Sequence, residues 1–358
     1  MKTTAEIQVQ TVNRSRVEDV DFANLPFASV YADHMLVAEY RGGAWGDPEI
    51  RPYGPLPVPP GVSSLQYGVS VFEALKAHRS AAGDVLLFRP WENARRLNRS
   101  AARLAMPEVP EDLFLFGLRE LVRLDAPWVP PAGAGALYIR PTFFSVDPSL
   151  RVKWADDYVF AIVSCPVGSY YAAPLDVLVS DRYTRAFPGG TGDVKTAGNY
   201  APALLADREA QAFGCSTVLW LDGREKRYVE ECGLMNIFFV ADDRVLTPEL
   251  GGTILPGVTR DSALRILRDM GLKVEERRIA IDEIVDWHRQ GRLQEAFGTG
   301  TAAQLSHLAR IRYRDSDLML PPVESRKVGP ALRQRLIALM TGESPDPYGW
   351  LDPVDGID

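Results

Sequence analysis

Cysteine and histidine are scarce in this sequence, at three and four among 358 residues. Cys165, Cys215 and Cys232 are odd in number, widely spaced and set among apolar neighbours. That suits small core residues in a reducing compartment rather than a disulfide framework, and no C-x-x-C pair exists. His34, His78, His288 and His307 lie far apart without the H-x-x-x-H spacing of a helical metal site, so no metal is expected. There is no basic tract, and the formal net charge is −7, from 40 basic against 47 acidic side chains. A nucleic-acid binder held by phosphate contacts is therefore not expected. No apolar run approaches bilayer length, and MKTTAEIQVQTVNRSRVEDV lacks the h-region of a secretory signal, so the expectation is a cytoplasmic protein without a membrane partner. Internal repeats and low-complexity tracts are also missing.

What is present is an ordinary globular balance, 46% hydrophobic and 24% charged, over a length that suits about two domains. The first third alternates strand-like runs (SVYADHMLVAEY, VSVFEALKAHR, LLFRP) with helices. In WENARRLNRSAARLAM, Trp91, Ala94, Leu97, Ala101 and Leu104 recur every three or four residues, giving an inward face, with Arg95, Arg96 and Arg99 expected to project elsewhere. EDLFLFGLRELVRL reads as a second helix, and ALYIRPTFF and DDYVFAIVSCPVG as strands. Near PVGSYYAAP the pattern changes to strand, Gly-rich loop, helix, strand and hairpin, which predicts a domain spanning 1–168, an interdomain loop at 169–177 and a second domain at 178–358. In the second, NYAPALLADREAQAFG reads as a helix ended by Gly214, STVLWLD and YVEECGLMNIFFVA as strands, and a helix starts near Val258.

Two stretches come close to nucleotide motifs. Gly189 to Thr196 nearly spells a P-loop, but Val194 stands where the second glycine belongs. Gly298-Thr299-Gly300-Thr301-Ala302-Ala303 fits the loose dinucleotide fingerprint, yet too little chain follows to build a Rossmann domain. No G-x-S-x-G elbow appears. What remains is a lysine in a Gly-rich loop, a doubled carboxylate in an apolar strand, an arginine helix and two Gly loops at element ends. Together these suit pyridoxal 5'-phosphate: an amine for a Schiff base, a carboxylate that keeps the pyridine nitrogen protonated, and an arginine with helix-start amides for the phosphate.

The stretches YGVSVFEALKA, LFRPWENARRLNRSAARL, LYIRPTFFSVDPSLRV, GGTGDVKTAGNYAPAL, VLWLDG, VEECGLMNIF, ILPGVTR and FGTGTA resemble, in order, the branched-chain amino acid aminotransferases of PLP fold type IV, from about Phe27 to the last helix. The resemblance implies a mixed α/β (α+β) fold: a small N-terminal α/β domain and a larger C-terminal domain with a pseudo-barrel of strands. It implies an enzyme moving amino groups between branched-chain or related apolar L-amino acids and 2-oxoglutarate, by a ping-pong route through PLP and pyridoxamine phosphate. Lys195 corresponds to the family's Schiff-base lysine and Cα acid/base. Tyr200 would support the phenolic oxygen, and Glu231 the ring nitrogen. Glu230, by strand alternation, should face the other way as a solvated charge. Arg96, the Val258 and Thr259 amides and the Thr301 hydroxyl correspond to the phosphate cup, and Arg185 to a further cofactor-side position. Tyr31, Tyr67, Phe72, Tyr138 and Tyr170 match the apolar side-chain pocket. Arg140 matches the partner of a distal carboxylate, and the Thr301 and Ala302 amides the holders of the α-carboxylate. The loop at Pro148–Val152 implies a homodimer.

Four positions depart from the family pattern: Leu234 stands for a threonine, Arg151 for a glycine, and Ala303 and Ser306 for a redox cysteine pair. The alternative readings are a D-amino acid transaminase or aminodeoxychorismate lyase of the same fold type, and a P-loop nucleotide-binding protein.

Overall fold

The computed structural model describes residues 7–25, 27–168 and 173–354. Among them no helix is long and apolar enough to cross a membrane. The chain forms two compact units, one of residues 1–170, 194–198 and 338–358, the other of 171–193 and 199–337. The sequence-based division kept Lys195 and the closing segment with the second body. Long-range pairing places them with the first: Thr196 bridges to Val71, and the strand Leu351–Pro353 pairs with Val85–Phe88. Such pairings leave no local periodicity to read.

In the first unit the described residues form a ten-stranded sheet centred on the long antiparallel pair Ala136–Ser145 and Tyr158–Val167, flanked by His34–Arg41 and Leu75–Arg79. Alternating side chains such as Leu137, Ile139 and Ile162 share a core with Ala94, Leu97, Phe114, Leu118 and Leu121 from the helices Pro90–Arg103 and Glu111–Leu124. The opposite sheet face carries a smaller cluster of Met35, Val37, Val159 and Ala161. Helix Pro90–Arg103 begins with proline, whose fixed φ suits the first helical turn, and has Glu92 near its positive end and Arg103 near its negative end. Its expected apolar stripe is present at Ala94, Leu97 and Ala101. Arg96 does not project with Arg95 and Arg99, because it is buried on the inward side.

The second unit holds a nine-stranded sheet among the described residues, and six of its strands close into a barrel. Val229–Cys232 pairs with both Thr217–Leu221 and Met235–Ala241, and the ring is completed through Leu175–Ser180, Gln304–Tyr313 and Leu293–Gly300. The expected pseudo-barrel is this ring. Val177, Val179, Leu219, Ile237, Phe239, Leu308 and Ile311 share one core, while Val218 and Trp220 pack against Ala203, Ala206 and Ala210 of helix Ala203–Ala212.

Candidate active site

In the first unit the lysine loop is held by main-chain and hydroxyl contacts. The Lys195 amide donates to Ser100 Oγ at 2.9 Å, its carbonyl accepts from the Phe72 amide at 3.0 Å, and Thr196 Oγ1 donates to the Ser70 carbonyl. Ser100 lies one turn beyond Arg96 on the same helix face, so one helix positions both the lysine segment and the guanidinium. Arg96 meets Glu73 in a two-pronged pair, Nε to Oε1 at 2.7 Å and Nη2 to Oε2 at 2.8 Å, and Asn93 also donates to Glu73. Glu73 is fully buried. Burial alone would raise its pKa, but the Arg96 guanidinium, helped by Lys195 and Asn93, overcomes that and holds the carboxyl below its usual range.

Phe72 is the point of convergence. Lys195 Nζ lies 4.9 Å from its ring centroid and Arg140 Cζ 4.4 Å. Arg140 Nη2 also donates to the Tyr138 hydroxyl at 2.6 Å, and Tyr138 packs edge-on against Phe27. The Arg140 Nε is buried with no hydrogen-bond partner among the described residues. Phe72, Tyr138, Arg140 and Lys195 therefore come together. Tyr31 instead stacks on Tyr53 at 4.5 Å, and half-exposed Tyr67 donates its hydroxyl to the Leu150 carbonyl. Tyr170 lies outside the described residues.

In the second unit, Glu231 accepts from the Leu255 amide at 2.7 Å, and its other oxygen lies 3.3 Å from Arg185 Nε. The Leu255 carbonyl accepts from Asn236, the cross-strand neighbour of Glu231. Both ends of Leu255 are thus fixed to one strand pair, and three residues later the helix Val258–Asp269 begins. That helix has no side-chain cap, so the early amides, those of Val258 and Thr259 included, are available to an anion. Gly257 is required before it, because a Cβ would sit 2.1 Å from Asn236 Oδ1. Thr299, opposite Asn236 in register, keeps a buried hydroxyl with no partner among the described residues. Thr301 and Ala302 occupy the turn between strands Leu293–Gly300 and Gln304–Tyr313, and partly buried Tyr200 precedes helix Ala203–Ala212.

The expectation for Glu230 fails. Leu219 and Leu221 face Cys232 and Val229, so the one residue between them, Trp220, opposes two, Glu230 and Glu231. The extra residue is a bulge, which breaks period-two alternation. Glu230 is consequently buried like Glu231 and accepts from the Thr253 hydroxyl. Glu73, Thr253 and Thr299 were not singled out from sequence. An acid inside the apolar run VFEALKA was the one available signal for Glu73.

The near-P-loop passes through turns into the Thr196 bridge and the short 3-10 turn Ala197–Asn199, without the strand-to-helix layout that a phosphate loop needs. The Gly298–Ala303 stretch turns directly into an antiparallel strand rather than a helix.

The model of the family described as amino-transferase class IV matches residues 70–311, a span that contains Arg96, Lys195 and Glu231. The chain belongs to that family. The class IV aminotransferases similar to it include branched-chain-amino-acid aminotransferase 2 of Bacillus subtilis, 42% identical over 360 residues that cover 99% of this chain and 98% of that one. A branched-chain aminotransferase from Thermoproteus uzoniensis, solved with norvaline, superposes with a TM-score of 0.75 at 25% identity, over 90% of this chain and 99% of that one. The T.th. branched-chain amino acid aminotransferase, complexed with N-(5'-phosphopyridoxyl)-L-glutamate, gives 0.70 at 28% identity, over 89% and 98%. The resemblance read from the motifs is to these enzymes, and this class IV aminotransferase shares their mixed fold with its strand barrel.

Proposed function

We propose that this aminotransferase moves the amino group between branched-chain or related apolar L-amino acids and 2-oxoglutarate, using pyridoxal 5'-phosphate in a ping-pong sequence. The observation that carries the reading is the convergence of Lys195 and Arg140 on the Phe72 ring, beside the Glu73–Arg96 pair. It combines an amine, an arginine for a substrate carboxylate and an apolar wall.

The residues present fit the cofactor. Thr299 keeps an unpartnered buried hydroxyl, the helix at Val258 starts uncapped, and Glu231 is a buried acid with directed donors. When bound, pyridoxal phosphate supplies an electron-withdrawing pyridine ring that takes up the electrons left when the Cα–H bond breaks. Lys195 Nζ would take up the proton released at Cα and return it at C4′. Glu231 holds the proton of the ring nitrogen, and Tyr200 supports the phenolic oxygen. Arg96, the Val258 and Thr259 amides and the Thr301 hydroxyl bind the phosphate, with Arg185 steadying Glu231. Arg140 pairs with the distal carboxylate of glutamate or 2-oxoglutarate, and the Thr301 and Ala302 amides hold the α-carboxylate. Tyr31, Tyr67, Phe72, Tyr138 and Tyr170 enclose the aliphatic chain. The family's relatives solved with norvaline and with a phosphopyridoxyl-glutamate support both halves of this substrate range.

We also infer a cytoplasmic homodimer. Leu65, Leu150, Val152 and Trp154 are exposed, and they belong to helix Ser63–Tyr67 and the neighbouring loop, which a second copy would cover. The test of the substrate reading is a panel of 2-oxo acids with glutamate as donor. Preferred amination of the branched-chain oxo acids supports it, and activity confined to D-amino acids contradicts it.

A further inference from the structure

Glu230 has no part in the chemistry above, yet it is buried to 7% exposure beside a second buried acid. Two adjacent carboxyls in a low-dielectric strand repel when both are charged, so the arrangement calls for a reason. The contacts supply one. The Thr253 hydroxyl donates to Glu230 Oε1, and the Thr253 carbonyl accepts from Arg185 Nη2. Arg185 Nε in turn faces Glu231 Oε2, and the Leu255 amide, two residues after Thr253, donates to Glu231 Oε1. These two contacts of Glu231 are therefore tied to Thr253. Gly192 lets its loop close on this turn: its carbonyl also accepts from Arg185, and a Cβ there would lie 2.4 Å from the Thr253 carbonyl oxygen.

We propose that Glu230 is a positioning residue for Glu231, anchoring Thr253 so that Arg185 and the Leu255 amide stay aimed at the carboxylate that meets the cofactor. The inference rests on Glu231 serving the ring nitrogen. Among the described residues, one oxygen of Glu230 is hydrogen-bonded, the Oε1 that accepts from Thr253. Oε2 has no hydrogen-bond partner among the described residues, and Glu230 borders a cavity of about 250 Å³ also lined by Asp222, Tyr228, Glu249 and Arg278. Burial, opposed by Thr253 and Arg185, pushes the Glu230 carboxyl above its usual range, and the Glu231 and Asp222 charges act in the same direction. Lys226 is a further cation facing it.

The test compares Glu230→Gln with Glu230→Ala in the full-length protein, stripped of cofactor and titrated with pyridoxal phosphate. The readouts are the dissociation constant and the pH midpoint of the visible absorption band. Glutamine keeps an acceptor for Thr253, so it should match the unsubstituted protein. Alanine should bind about tenfold more weakly, the worth of one hydrogen bond, and shift the midpoint. Thr253→Val, which deletes the donating hydroxyl, should behave like alanine and replaces it if that variant fails to fold. Alanine and valine variants with unchanged affinity and midpoint would overturn the proposal, as would a glutamine variant impaired as much as alanine. An unsubstituted protein that develops no band overturns the cofactor reading on which the role of Glu231 rests, a separate failure.

Discussion

In the first unit the Arg96 guanidinium is held by a side chain, the two oxygens of Glu73, to which Asn93 also donates. In the second unit the acid is held largely through main chain: Glu231 by the Leu255 amide, and its neighbour Arg185 by the Gly192 and Thr253 carbonyls. The contrast has energetic consequences. A buried ion pair that loses one member leaves an uncompensated charge. A carboxylate fixed by an amide can be replaced by an isosteric amide with little loss of packing, so its charge is free to be set by chemistry rather than by folding.

The largest effect should separate chemistry from fold. Glu231→Gln is expected to lower kcat by several orders of magnitude, on the order of 10³ or more, because a neutral amide no longer favours the protonated pyridine. Its urea midpoint as cofactor-free protein should move less than that of Glu73→Gln: Arg185 loses its buried counter-charge but keeps two carbonyl partners, and glutamine still accepts from Leu255. A large loss of stability without loss of turnover would reverse the comparison.

Glu73→Gln should do the opposite in the cofactor-free protein. It leaves Arg96 buried without its counter-charge, at a cost of about 3–5 kcal/mol in urea unfolding. The sign of the pH dependence follows from the same pair. The folded-state pKa of Glu73 is depressed, so its contribution is present above the ordinary glutamate range and is lost as pH falls through the lower folded value. The glutamine variant should therefore show a shallower acid limb. An unchanged acid limb would mean that another group sets it.

How much of this could be read beforehand depended on whether the signal was local. Helix Pro90–Arg103, helix Val258–Asp269 and the barrel strands announce themselves through period and punctuation, and their boundaries agree closely with the pattern. Arg96, Lys195 and Glu231, proposed above as site residues, were singled out because the motifs around them are long. The Glu230 side of the strand was not, because alternation assumes an unbroken ladder and the bulge depends on the partner strand. The placement of 194–198 with the first unit was hidden for a similar reason, since the bridge to Val71 spans more than a hundred residues.

A smaller effect sharpens the second unit's picture. Leu234 occupies the turn after Glu231 and is 59% exposed, with its carbonyl 3.6 Å from where a Cβ on Gly300 would lie. Leu234→Thr adds a hydroxyl for the substrate carboxylate and should lower KM for glutamate and for branched-chain donors alike, by roughly 1 kcal/mol each. Unequal changes would instead assign the position to side-chain choice. The smallest effect concerns the thiols: burial pushes Cys232 up to about 12 and Cys165 to about 11, and raises Cys215. Mild peroxide should leave activity unchanged, and a thiol-reversible inactivation would contradict that.

The assignment of Lys195 is tested most directly by borohydride reduction of the pyridoxal phosphate-loaded protein, followed by proteolysis and mass spectrometry. Lys76 is the strongest competitor, because burial pushes its amine down to about 8 and leaves a larger neutral, nucleophilic fraction. The pyridoxyl label is expected on the peptide containing Lys195 and to be lost in Lys195→Ala together with turnover. A label on Lys76 or Lys153 would contradict the account.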